Sequence, residues 1–188
     1  MNPKASKENL EKLNIEQHEV NSSWNFTLRK GIMKTYLLET AGALQQPQAS
    51  AVLAFSRKKD QLAAQGNQSM AERADLEKLI GKNNQQMAED NNRNFARFME
   101  SVFTSYHPEV LVETVLWVFR TYRAHGFHAT YWAANLNVWV EMLKKELQED
   151  DYNSLYPFYN WLIIHIPICV KLTDQVPGKG SSDARHPD

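Results

Sequence analysis

His125 and His128 flank Gly126-Phe127, and that spacing sets two nitrogen ligands on one turn, suited to a haem iron or a metal ion. A metal site usually recruits a carboxylate or a cysteine as well. No such third ligand is adjacent, so the competing reading is a pair of helix-end histidines at a turn. His107 precedes Pro108 and is placed to satisfy backbone groups at a helix start. His165 lies between Ile164 and Ile166, where a buried, hydrogen-bonded core histidine fits better than a ligand. Glu113 and Arg120 share one helix face, and Arg123 follows Arg120 by three. The three could receive an anionic head group, or form ordinary ion pairs on a solvated face. An acid–base enzyme would need Glu113, His107 or His165 to converge in one cleft.

The second set of candidates is aromatic. The run from Tyr106 to Pro167 holds four of the five Trp and all but one of the seven Tyr. Polar-tipped aromatics at this density line ligand pockets and protein interfaces, or fill a core. Trp117, Tyr122, Tyr131, Trp132, Trp139, Tyr156, Tyr159 and Trp161 are the residues in question, and core packing alone accounts for more than half of such a set. Asn135 and Asn137 lie near the aromatic face and offer directional hydrogen bonds. The candidate ligand-binding set is therefore Trp117, Arg120, Tyr122, Tyr131, Trp132, Asn135, Trp139 and Tyr159, with His125 and His128 as the cofactor ligands if a tetrapyrrole binds. Cys169 has no activating neighbour and reads as inert packing. The sequence contains no glycine-rich phosphate loop, no paired-histidine zinc motif and no serine elbow, so no catalytic or metal set is assigned.

Composition narrows the class. A chain of 188 residues suits one domain, and a net charge of -1 gives no basic face for nucleic acid. A single cysteine rules out an internal disulfide framework and a cysteine-based zinc site. The N-terminus has no apolar core of the secretory kind. The stretch WLIIHIPICV is about half the length needed to span a bilayer, so no membrane span and a cytoplasmic location are expected.

The elements that must position these residues read as helices throughout. The expected organisation is an N-terminal arm or short helix over 1–21, a helical domain over 22–176 and a disordered tail over 177–188. Ser22 or Ser23 is a candidate cap for a helix with Trp24, Leu28, Met33, Tyr36 and Leu37 as its apolar stripe. A helix over 49–66 ends at Gly66-Asn67-Gln68-Ser69, and Ser69 with Glu72 forms a capping box for a helix to Ile80, with Gly81 after it. The polar run KNNQQMAEDNNRN is a loop or the solvated start of a helix whose core face is Phe95, Phe98, Met99, Val102 and Phe103. Pro108 opens the next helix, which ends at Gly126. Another runs from His128 or Ala129 to Leu147, with Trp132, Leu136, Trp139, Val140 and Leu143 inside and Asn135, Asn137 and Glu141 on its wet face. Glu149-Asp150-Asp151 is a charged turn, and Tyr152 to His165 resumes helix until Pro167 ends or kinks it. The last three helices, joined by short connections, should pack as antiparallel neighbours. The fold class is all-α, a single domain of six to eight helices, globin-like or a helical bundle.

The pattern from about Ser69 to Pro167, with its aromatic C-terminal helices and its His107-Pro108 and His125-Gly126-Phe127 breaks, resembles the globin-related helical sensor domains of bacteria. The likeness is to the non-haem kind found at the N-termini of stressosome regulators. That resemblance implies a dimeric signalling or ligand-sensing module, and in a haem-binding form His125 would be the proximal ligand. With no effector domain attached, such a sensor would report through a partner or through oligomerisation. The leading expectation is a non-enzymatic sensor or interaction domain, a homodimer, in which a small apolar ligand or a protein partner occupies the aromatic helices. The alternatives are a haem or other tetrapyrrole carrier and a structural subunit that assembles through its N-terminal arm.

Overall fold

The computed structural model describes residues 25–174, so the expected arm, the Ser22 or Ser23 cap, Trp24 and the tail lie outside the described residues. Within them the chain is all-helical with no strand. Helix α1 covers 25–42. It is followed by α2 (Ala49–Ala71), α3 (Leu76–Ile80), α4 (Gln85–Thr104), α5 (Pro108–Ala124), α6 (Thr130–Glu146) and α7 (Glu149–Thr173). Helices α2 and α7 form the centre: α2 packs on α4, α6 and α7, and α7 packs on α2, α5 and α6. Pro108 stands in the first turn of α5, where its missing N–H costs nothing.

Several boundaries differ from the sequence expectation, each for a physical reason. α2 does not end at Gly66, and no helix is capped at Ser69. Gly66 is buried inside α2, and a Cβ there would lie 3.1 Å from Met142 Cε on α6. The glycine serves close helix packing, which here outweighs its poor helix propensity. The Glu149-Asp150-Asp151 segment is the first turn of α7 rather than a turn, and three carboxylates at a helix N-terminus suit its dipole. Neither Pro157 nor Pro167 ends α7. Both prolines are exposed, so the carbonyls that lose their partners need not be buried.

The resulting 25-residue α7 is long and apolar enough to cross a membrane by length and composition, contrary to the half-length stretch read from sequence. Its inner face nevertheless sits in the bundle core, with Leu155, Phe158, Tyr159, Trp161, Leu162, His165 and Cys169 all buried. That is the pattern of a central helix in a packed domain.

Gly81 and Gly126 hold the middle of the chain together. Both have positive φ, 78° and 94°, the region that favours glycine. A Cβ on Gly81 would stand 3.1 Å from the Gly126 carbonyl oxygen, so the turn after α3 lies against the α5–α6 turn. Asn84 Nδ2 donates to the carbonyls of Ile80 and His125, and the His128 N–H donates to Leu79 O at 2.8 Å. This clasp fixes where α5 ends and α6 begins.

The core is an aromatic chain running through the bundle. Phe55 meets Phe103 edge-on at 5.1 Å, and Phe103 meets Phe158 at 5.4 Å. Phe95 stands edge-on to Trp139 at 5.4 Å and to Tyr159 at 6.0 Å. The polar start of α4 is not the solvated segment its composition suggests, because Asn91 and Asn92 are buried. Trp139 Nε1 donates to Asn92 Oδ1 at 3.0 Å, Asn92 Nδ2 to Asn67 Oδ1 at 2.8 Å, and Asn67 Nδ2 to the Glu89 carbonyl. Asn91 Nδ2 donates to the Tyr131 hydroxyl at 3.2 Å. These bonds tie α2, α4 and α6 into one polar network inside the core.

Cys169 is buried on α7, and burial pushes its thiol up to about 12. Almost none of it is thiolate at pH 8, so native Cys169 should resist a disulfide-exchange reagent. We expect labelling at least about a hundredfold slower than in urea, followed by absorbance of the released thiol. Equal rates in both states would contradict the burial.

Candidate functional site

The α4–α7 region contains a partly open apolar pocket of about 180 Å³. It exists because α5 and α6 both pack on α7 but do not run alongside each other as the sequence reading expected. They meet through rings near the turn that joins them: Phe119 stacks on Trp132 at 4.5 Å, and Tyr122 meets Trp132 edge-on at 5.8 Å. Beyond those rings the helices leave a gap. α4 closes it with Asn91, Phe95 and Phe98, α5 with Thr114, Val118 and Phe119, α6 with Trp132 and Leu136, and α7 with Leu162. Trp117, 58% exposed, stands at its outer edge.

The wall carries no charged side chain. Burial, with the Asp90 carboxylate adding to it, raises the Tyr122 phenol above its ordinary value, so this ring stays protonated and neutral. One wall residue is unusual. Trp132 is 6% exposed, and among the described residues its Nε1–H has no hydrogen-bond partner. Two further buried polar atoms nearby share that condition. Asn135 Oδ1 is three residues along α6 from Trp132, and the Tyr159 hydroxyl belongs to a ring that touches the wall residue Phe95. An unsatisfied buried donor or acceptor costs about 1–3 kcal/mol, and native structures keep few of them.

The candidate residues divide into three groups. Trp117, Tyr122 and Trp132 line the pocket. Tyr131, Trp139 and Tyr159 are fully buried core residues beside it, and Asn135 is buried at 2% exposure rather than lying on a wet face. Asn137 is exposed. Arg120 lies elsewhere, on an open cleft of about 760 Å³ that Lys30, Arg123, His128 and Asp174 also border. Arg123 is already committed there: it donates to the Val170 carbonyl, to Thr173 Oγ1 and to Asp174, closing the C-terminal end of α7. Glu113 pairs with Lys34 of α1, so Glu113, Arg120 and Arg123 do not form one anion receptor.

The histidines are accounted for locally. His125 Nδ1 donates to the Thr121 carbonyl, and His128 Nδ1 is 2.8 Å from Thr130 Oγ1. Neither ring borders the apolar pocket. His165 is buried, as its setting suggests, with Nδ1 donating to the Trp161 carbonyl at 2.8 Å. Its Nε2 faces Thr40 Oγ1 of α1, which also accepts from Trp161 Nε1. His107 is exposed beside Ser105 at the start of α5. Glu113, His107 and His165 do not converge on any of the pockets. Among the described residues, no three His, Cys, Asp or Glu side chains are grouped to hold a metal ion.

Comparison with known protein families, curated proteins and solved structures gives no match.

Sequence reading gave Phe95 and Phe98 of α4 a core face but did not place them at a binding site, and it missed Asn91, which lies within the polar run before them. The Leu136 position was legible as buried, while Leu162 and Val118 gave no signal that distinguished a wall from a core.

Proposed function

We propose that this chain is a non-enzymatic, cytoplasmic sensor domain that binds a small, neutral, largely apolar ligand between α4, α5, α6 and α7. The supporting observation is Trp132, which lines an uncharged cavity and whose buried Nε1 donor has no partner among the described residues. A ligand that brings one hydrogen-bond acceptor satisfies it. The volume sets the size. About 180 Å³ is close to the roughly 150 Å³ of an engineered apolar cavity that takes up benzene, and below the roughly 300–1,000 Å³ of drug-sized sites. One ring or a short branched chain with a carbonyl or ether oxygen fits this description, and a tetrapyrrole does not.

The site touches four helices, so occupancy favours whichever packing of those helices suits the ligand. In this reading the chain is a globin-like sensor of the non-haem kind, and it reports by changing its assembly with a second copy. The helical bundle and the pocket among its long C-terminal helices support that reading.

Filling the cavity tests it. Val118 is half-buried on the wall, so Val118→Phe puts a ring into the space with little overpacking elsewhere. We expect the wild-type melting temperature to rise with acetophenone, and the variant to keep its fold while losing that response. An unchanged response in the variant would place binding elsewhere.

A further inference from the structure

The outer face of α1 is apolar where a solvated helix would be polar. Leu28, Ile32 and Tyr36 follow at intervals of four and are 63%, 61% and 49% exposed. An exposed apolar edge of α7 lies close by. Tyr36 is 5.7 Å from the His165 ring, and Ile164, the residue before His165, is 58% exposed, with half-buried Ile168 one turn further on. Scattered exposed apolar residues are ordinary, whereas an apolar row with a second apolar edge close by marks an interaction surface.

The charges on this face identify what covers it. Arg29 and Glu39 are both exposed on the same side of α1 as Ile32, and neither has an ion-pair partner among the described residues. The other α1 cations are engaged: Lys30 donates to the Asp174 carbonyl, and Lys34 pairs with Glu113. Arg29 and Glu39 flank Ile32 and Tyr36, about 15 Å apart along the axis. If a second α1 lies antiparallel on a two-fold axis at the level of Lys34, Ile32 of one copy meets Tyr36 of the other. The same axis sets Arg29 of each copy against Glu39 of its mate. One register thus satisfies both the apolar and the charged positions, as an isologous interface requires.

We infer that α1 and the adjacent edge of α7 form the surface on which two copies of this chain dimerise, with paired Arg29–Glu39 contacts fixing the register. This deepens the assembly half of the proposed function. It makes no use of the pocket, so its test is run without ligand and its failure leaves the binding site standing.

The experiment is sedimentation equilibrium of the full chain, with circular dichroism to show that each variant folds. Ile32 is exposed, so Ile32→Glu should leave the melting curve in place while weakening the dimer at least about tenfold. Arg29→Glu and Glu39→Arg should each weaken it, and the double variant R29E/E39R should recover most of the loss, because exchanging the charges restores both pairs. A wild-type monomer would overturn the inference and assign the stripe to another cover, such as residues 1–24. A dimer indifferent to Ile32→Glu, or a double variant weaker than either single one, would overturn it as well.

Discussion

Truncating Trp139 to alanine should cost about 3–5 kcal/mol of folding stability, the largest effect of any single change in the core. Trp139 has no exposed surface and meets Phe95 and Tyr159. Its loss leaves a large cavity that the surrounding helices cannot close. It also strands Asn92 Oδ1, which accepts the Trp139 N–H, inside the bundle. A domain of this size has about 5–15 kcal/mol in total, so much of the margin disappears. Urea denaturation measures the change. Trp139→Phe separates the two causes: it keeps most of the ring packing and removes only the donor, so its cost should be about 1–3 kcal/mol. If the two variants were equally stable, the ring packing would contribute nothing, and the account of the core would be wrong.

Trp132→Phe should behave in the opposite way. Its indole nitrogen has no partner among the described residues, so removing it relieves an unsatisfied buried donor instead of creating one. The ligand-free protein should keep its stability or gain about 1 kcal/mol, while the stack on Phe119 is retained by the phenyl ring. Affinity for a ligand with an acceptor oxygen should fall about tenfold, the worth of one hydrogen bond formed in an apolar site. A purely structural tryptophan would show the reverse, a loss of stability with no change in binding. Two tryptophans seven residues apart on one helix thus have opposite expected responses, because one N–H is paired and the other is not.

The contrast also shows what sequence could and could not reveal. The buried row of α6 was legible from helical spacing, and so was Pro108 as the opening of α5, because those signals are local. The Asn67–Asn92–Trp139 network was not, since its members are 25 and 47 residues apart and an asparagine-rich run looks solvated until its partners are known. Gly66 read as a helix end because its value lies in a contact with Met142, 76 residues away. Pro167 read as an end or a kink, but it is exposed, and the helix runs through it. Asn135 is different. It stands three residues after Trp132 and one before Leu136, inside the apolar row, so its burial was legible and its polarity misled. The pocket itself was invisible because it is a gap between helices that fail to run alongside each other, which no pattern within one helix encodes.

The central claim is that the Trp132 donor selects a neutral ligand carrying an acceptor. The measurement is a tryptophan-fluorescence titration of the wild-type protein with acetophenone and with isopropylbenzene, which has nearly the same shape but no oxygen. Trp117 and Trp132 both line the cavity and should report occupancy. The account predicts saturable binding of both, with acetophenone tighter by about tenfold. Equal affinities, or no saturable binding of either, would contradict it.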